Sequence, residues 1–148
     1  MSSFVESIQT RLSEASFGEA ELVSATPESP GWGHTEAVFR IEPFLLRFVL
    51  DHKQEFVDLA SEAEPETFLL LDDVAVAMGW WSLEDIIARS EPEPIGAILQ
   101  RVKSNFTVLV EAFSAGRESL TRASIKRVNE ERTNALFDGR FAKKYNKT

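Results

Sequence analysis

The stretch Phe44-Leu45-Leu46-Arg47-Phe48-Val49-Leu50-Asp51-His52-Lys53-Gln54-Glu55-Phe56-Val57-Asp58-Leu59 decides the fold. Phe44, Leu46, Phe48 and Leu50 share one face and Leu45, Arg47 and Val49 the other, the two-residue period of a strand. Asp51-His52-Lys53-Gln54 is a polar interruption of hairpin length, and a second strand over 55–60 resumes with Phe56, Val57 and Leu59.

Upstream, 35–42 alternates in the same way, with Ala37, Phe39 and Ile41 on one face and Glu36, Val38, Arg40 and Glu42 on the other. Pro43 lacks a backbone donor, so it marks a break or turn. A further strand fits 21–25, before Pro27, Pro30, Gly31 and Gly33 enforce a loop that carries Trp32 and His34. The chain opens on Phe4, Val5, Ile8 and Leu12 at helical spacing, behind Ser2 or Ser3 as a cap. These runs predict a helix and an antiparallel meander of three to four strands with one face covered by helices.

Downstream, the acidic connection Ser61-Glu62-Ala63-Glu64-Pro65-Glu66 leads into helices. Asp72 or Asp73 is placed to cap a short helix that Gly79 stops. Ser82-Leu83-Glu84-Asp85 has the form of a capping box with Asp in the place of Glu or Gln. After the break at Glu91-Pro92-Glu93-Pro94, the residues Ile95, Ile98, Leu99, Val102, Phe106, Leu109, Val110 and Phe113 form one helical stripe that Gly116 ends. A second long helix is predicted from 118 to about 137, with Leu120, Ile125, Val128, Leu136 and Phe137 on its apolar face, followed by a basic tail over 139–148 that frays. The reading is a single α+β domain over 1–148: a β-meander at 35–60, a helical part at 72–138 with two long helices, and the tail.

Charge divides the chain. Residues 1–95 hold 19 Asp/Glu against 5 Lys/Arg, a net −14, and residues 96–148 hold 5 against 11, a net +6. A one-signed surface steers partners of opposite sign and repels its own. The absence of Cys excludes a disulfide framework, a thiol nucleophile and thiolate metal ligation. The N-terminus has neither a basic stretch nor a long apolar run, and no apolar run approaches the ~18 residues of a membrane span. These features predict a cytoplasmic protein with no membrane association.

Catalytic and cofactor signatures do not stand out. His34 and His52 fall in different loops, and Asp51-His52 with Asp58 offers no third metal ligand at a recognisable spacing. The adjacent pairs Asp72-Asp73 and Glu84-Asp85 point about 100° apart on a helix, unsuited to a facing acid and base, and helix N-termini favour acidic residues on dipole grounds alone. There is no Gly-x-Ser-x-Gly, Walker or Gly-x-Gly-x-x-Gly pattern, and Gly31-Trp32-Gly33-His34 reads as a turn. The expectation is a non-enzymatic protein with no metal and no cofactor.

Two charged surfaces remain. Arg117, Arg122, Lys126, Arg127, Arg132, Arg140, Lys143, Lys144 and Lys147, with Phe141 and Tyr145 interleaved, could contact phosphates and stack on bases. The −14 of the preceding residues opposes a polyanion, and the favoured reading packs these cations against the acidic part of the same chain or of a second copy. The acidic set Glu62, Glu64, Glu66, Asp72, Asp73, Glu84, Asp85, Glu91 and Glu93 is suited to docking a basic partner by steering, with Trp80-Trp81 as anchor and Trp81 as the one expected at the surface.

The order of a short leading helix, the hairpin at 44–59 and Leu71-Asp72-Asp73-Val74 opening a helix resembles the small acidic bacterial immunity proteins found beside polymorphic or contact-dependent toxins. The resemblance implies a cytoplasmic protein that neutralises a cognate toxin, often a nuclease, by covering its active site or a nearby surface. The acidic pattern and the Trp pair, and not the resemblance, predict the partner-binding residues Glu62, Glu64, Glu66, Asp72, Asp73, Trp80, Trp81, Glu84 and Asp85. The alternatives are a self-associating scaffold, such as a homodimer, that pairs its acidic region with its basic C-terminal helix, and a nucleic-acid binder using 117–147.

Overall fold

A computed structural model describes residues 3–27, 34–88 and 94–145, with side chains to residue 135. It contains α1 (Ser3–Glu14), β1 (Glu21–Ala25), β2 (His34–Ile41), β3 (Phe44–Asp51), β4 (Gln54–Ser61), β5 (Leu69–Leu70), α2 (Leu71–Ala77), α3 (Leu83–Ala88), α4 (Ile95–Ser104), α5 (Phe106–Ala112) and α6 (Glu118–Tyr145). The chain is an α+β protein whose five strands form an antiparallel meander in the order β1-β2-β3-β4-β5.

The hairpin that decided the fold forms as expected, with its strands extended to Asp51 and from Gln54 so that only His52 and Lys53 make the turn. Phe44 faces Ser61, Phe48 faces Val57 and Asp51 faces Gln54. His52 and Lys53 both take positive φ (49° and 69°), the backbone that a two-residue turn needs to match strand twist. On the other side of β3, Ile41 faces Phe44 across a turn at Glu42-Pro43, whose peptide bond is cis. The strands number five: β1 pairs with β2 through an irregularity between Leu22 and Ser24, and β5 spans two residues opposite Asp58 and Leu59.

The inward faces of β2 and β3 and the apolar faces of α1, α2 and α4 make one core. Phe39 and Phe48 meet edge-on at 5.8 Å, and Phe44 meets Phe106 at 5.9 Å and Phe113 at 5.4 Å. Edge-to-face aromatic pairs add about 0.5–1.5 kcal/mol beyond area burial.

Four local expectations are corrected. The single helix predicted across 95–113 is broken at Asn105, whose side-chain amide donates to the Arg101 carbonyl at 2.8 Å and competes with the helical ladder. The break lets Phe106 reach both Phe17 and Phe44. Helix α2 has Leu70 at its N-cap, so Asp72 and Asp73 stand in its first turn and do not cap it. Leu120, expected on the apolar face of α6, is 74% exposed, and it is Ile125, at 1%, that seats the helix in the core. The backbone of α6 also continues past 137 to Tyr145. The side chains of Leu136 and Phe137, and those of the basic tail, lie outside the described residues.

Helices α1 and α2 end alike. At α2, Trp80 N–H donates to Ala75 O at 2.9 Å and Gly79 N–H to Val76 O at 3.0 Å, around Gly79 at φ +79°. At α1, Phe17 N–H donates to Leu12 O at 2.7 Å and Ser16 N–H to Ser13 O at 3.0 Å, around Ser16 at φ +67°. Both are Schellman motifs, which reverse the chain and fold the next apolar residue back onto the helix. Phe17 is thereby buried and Trp80 packed against the core.

Candidate functional site

The acidic set divides on folding. Glu62, Glu64 and Glu66 are exposed between β4 and β5, and Glu84 and Asp85 are exposed in the first turn of α3. There the Ser82 hydroxyl accepts the Asp85 N–H at 3.2 Å, the expected half of the capping box. Asp72 is half-buried. Glu91 and Glu93 lie outside the described residues, as do Trp32 and the Gly31-Trp32-Gly33 turn.

Asp73 is corrected from a surface residue to an interior one. It is 2% exposed and accepts hydrogen bonds from Arg132 Nε at 2.8 Å, Arg132 Nη2 at 3.2 Å and Asn129 Nδ2 at 2.9 Å. A buried carboxylate persists only when paired and hydrogen-bonded, and the side chains of α6 supply both. The same bonds hold the Arg132 guanidinium above its ordinary pKa, against an opposing effect of its partial burial.

The Trp pair is half-buried at both positions and packed against the core. The Arg101 guanidinium stands 5.9 Å from the centroid of the Trp81 ring, at the outer range of cation–π attraction. The Schellman turn at Gly79 explains why consecutive tryptophans both find cover: they do not continue one helix face.

The start of α6 is tied to the end of β4. Ser61 Oγ donates to Glu118 Oε1 at 2.8 Å, Arg122 Nε and Nη2 donate to the same oxygen at 3.1 and 3.0 Å, and Arg122 Nη1 lies 3.6 Å from Glu64. These bonds, the Ser61 hydroxyl first, hold the Glu118 carboxyl below its ordinary value. Arg122 and Arg132 thus spend their charge within the chain, as the favoured reading of the basic segment expects. Between this helix and the residues around β5 lies a groove of about 410 Å³, walled by Glu64, Phe68, Leu70, Asp73, Arg122 and Asn129.

Sequence reasoning missed a second acidic surface. Arg40, on the outer face of β2, lies 3.4 Å from Glu21 of β1 and 3.5 Å from Glu62. Around it opens a pocket of about 300 Å³ walled by Glu19, Glu21, Glu42, Ile41 and Phe106. The alternation of β2 already placed Arg40 and Glu42 on the outer face; the pairing of Glu21 with Arg40 depends on the irregular register of β1. On the same outer face, Arg47 donates to Asp58 at 2.9 and 2.8 Å and stacks 4.3 Å over Phe68. Burial pushes the Asp58 carboxyl up, and Arg47 opposes that shift. The histidines converge as well, His34 opening β2 where a loop was expected: His34 Nδ1 and His52 Nε2 lie 4.0 and 3.8 Å from Asp51, and His34 Nε2 lies 2.7 Å from Glu36.

The architecture defines a mixed α+β protein with a helix-backed antiparallel meander and a divided acidic surface. Comparison with protein-family models, curated proteins and solved structures finds no match. Among the described residues, no helix is long and apolar enough to cross a membrane.

Proposed function

We propose that this chain is a non-enzymatic protein-binding module of the immunity type, which neutralises a basic toxin through its acidic surface. The observation that supports this reading is the way α6 spends its cations. Arg122 and Arg132 engage Glu64, Glu118 and Asp73 of the same chain. Glu66, Glu84 and Asp85 remain exposed, and Glu62 shares Arg40 with Glu21. The outward field of the sheet and α3 region therefore stays negative, which favours rapid encounter with a cationic protein surface. The internal pairing of Arg122 and Arg132 also reduces the charge that α6 could offer to the acidic region of a second copy, leaving Lys126 and Arg127 exposed.

Affinity capture at low salt, followed by mass spectrometry, identifies the partner, and co-expression reads the function. The expected result is a stoichiometric basic protein whose expression arrests growth alone and is tolerated beside this chain. A captured partner whose toxicity is unchanged by the chain overturns the reading, as does retention of nuclease-sensitive nucleic acid in its place.

A further inference from the structure

The edge of the sheet adds a docking mode that the acidic loops alone do not provide. Strand β1 pairs with β2 on one side and is the last strand of the sheet on the other. All five of its residues are exposed, Leu22 at 36% and Val23 at 44%. An edge strand offers a row of backbone donors and acceptors to any extended chain, and proteins normally blunt such edges with Lys, Pro or covering elements. Here Leu22-Val23-Ser24-Ala25 carries neither Lys nor Pro, and among the described residues the edge is blunted by the irregularity between Leu22 and Ser24 and by the charge of Glu21. The opposite edge, β5, has two residues, both half-buried, too short to template a strand.

The charge around β1 selects its occupant. Glu21 starts the strand with its side chain 71% exposed, and it walls the Arg40 pocket with Glu19 and Glu42. Glu62 approaches the same arginine from beyond β4, so two carboxylates pair with the guanidinium while Glu19 and Glu42 line the pocket beside it. A second copy bringing its own β1 would add carboxylates to an edge that is already acidic and would bring no cation to the pocket of Glu19, Glu21 and Glu42. We infer that β1 accepts an extended segment of the basic partner as a sixth strand, with apolar side chains meeting Leu22 and Val23 and a Lys or Arg entering the pocket of Glu19, Glu21 and Glu42. Main-chain bonds supply affinity in such strand addition and alternate side chains supply selectivity. The inference rests on the proposed acidic docking function and locates one contact within it.

The test uses the full chain and a synthetic peptide of about eight residues alternating Lys with Val or Thr. Its controls are a version interrupted by two prolines and a version with Glu for Lys. Amide hydrogen exchange and NMR shifts are read along the whole chain at low salt. The expected result is protection of the β1 amides by the Lys peptide alone, with affinity reduced at least about tenfold by Val23→Lys and by Glu21→Gln with Glu42→Gln. Equal binding of the proline-interrupted peptide overturns strand addition. Shifts confined to Glu64, Glu66 and α3 overturn the β1 site and leave the acidic docking function standing. No binding of the Lys peptide overturns the β1 site, while the acidic docking function stands or falls by the capture and co-expression experiment. Protection of β1 that grows with protein concentration in the absence of peptide assigns the edge to a second copy and overturns the inference.

Discussion

Asp73 and Arg132, 59 residues apart, form a buried ion pair at 2.8 Å that fastens α6 to the first turn of α2. Asp73 is almost fully enclosed, whereas the Arg132 side chain keeps 20% of its surface, and Asn129 completes the carboxylate's bonding. Removing one partner of such a pair leaves an uncompensated charge in a poor solvent, which costs about 3–5 kcal/mol. Arg132→Ala should therefore destabilise the fold by about 3 kcal/mol, at the low end because water reaches the arginine side. The paired replacement Asp73→Leu with Arg132→Met should recover most of that loss. Urea unfolding of the two variants beside the unsubstituted chain checks this, and a loss below about 0.5 kcal/mol for Arg132→Ala would show that the pair does not hold α6.

The two Schellman turns predict opposite responses to substitution. A Cβ added at Gly79 meets nothing within 4 Å, so Gly79→Ala costs only the left-handed backbone, about 1–2 kcal/mol. Ser16 occupies the same conformation with a side chain, so Ser16→Gly should stabilise by up to about 1 kcal/mol. Thermal unfolding reads both, and equal signs for the two variants would refute the common geometry.

The contrast between the hairpin and Asp73 explains what the sequence could and could not disclose. Strand alternation over 44–50 is a local property, repeated often enough to give the strand's two faces and the approximate place of the turn. Asp72 and Asp73 are chemically identical neighbours, and which of them turns inward depends on where Arg132 arrives. The helix break at Asn105 has a similar origin, because the apolar stripe continues through it and the aromatic contacts of Phe106 with Phe17 and Phe44 are made elsewhere in the chain. Strand β5 spans two residues, too few for a period to register. The acidic loop was readable from composition, yet its division into Glu64 paired with Arg122 and Glu66 left outward required the packing of α6.

Acid should loosen the junction between β4 and α6. Hydrogen bonds from Ser61 and Arg122 depress the folded-state pKa of Glu118 below its ordinary 4.5. As pH falls through that value the unfolded chain takes up the proton first, so this contribution is complete above 4.5 and is lost on descending through the folded-state pKa. Asp58 has the opposite sign. Burial raises it above 3.8, so its ionisation costs stability as pH rises through that value, and its protonation offsets part of the acid loss. Glu118→Gln should flatten the fall in stability below pH 4.5, and Asp58→Asn should steepen it. Urea midpoints measured in acid against those near neutrality decide the matter, and an unchanged slope in Glu118→Gln would remove Glu118 from the junction.

Because Asp73 is interior, the steering surface has to be tested with carboxylates that do not hold the fold together. Glu66→Gln, Glu84→Gln and Asp85→Asn, combined, should change stability by no more than about 1 kcal/mol, part of it the lost dipole interaction at the start of α3. With the partner recovered by capture, the triple variant should lower kon about tenfold at low salt, because steering accelerates encounter by that order. The dissociation rate should hold, since exposed charges at the rim of a contact contribute chiefly to approach. Raising the ionic strength to physiological values, where screening reaches about 8 Å, should shrink the difference. Stopped-flow association across a salt series separates the terms: a kon untouched at low salt would exclude these three residues from steering, and a loss carried by koff would make them buried contacts of the complex.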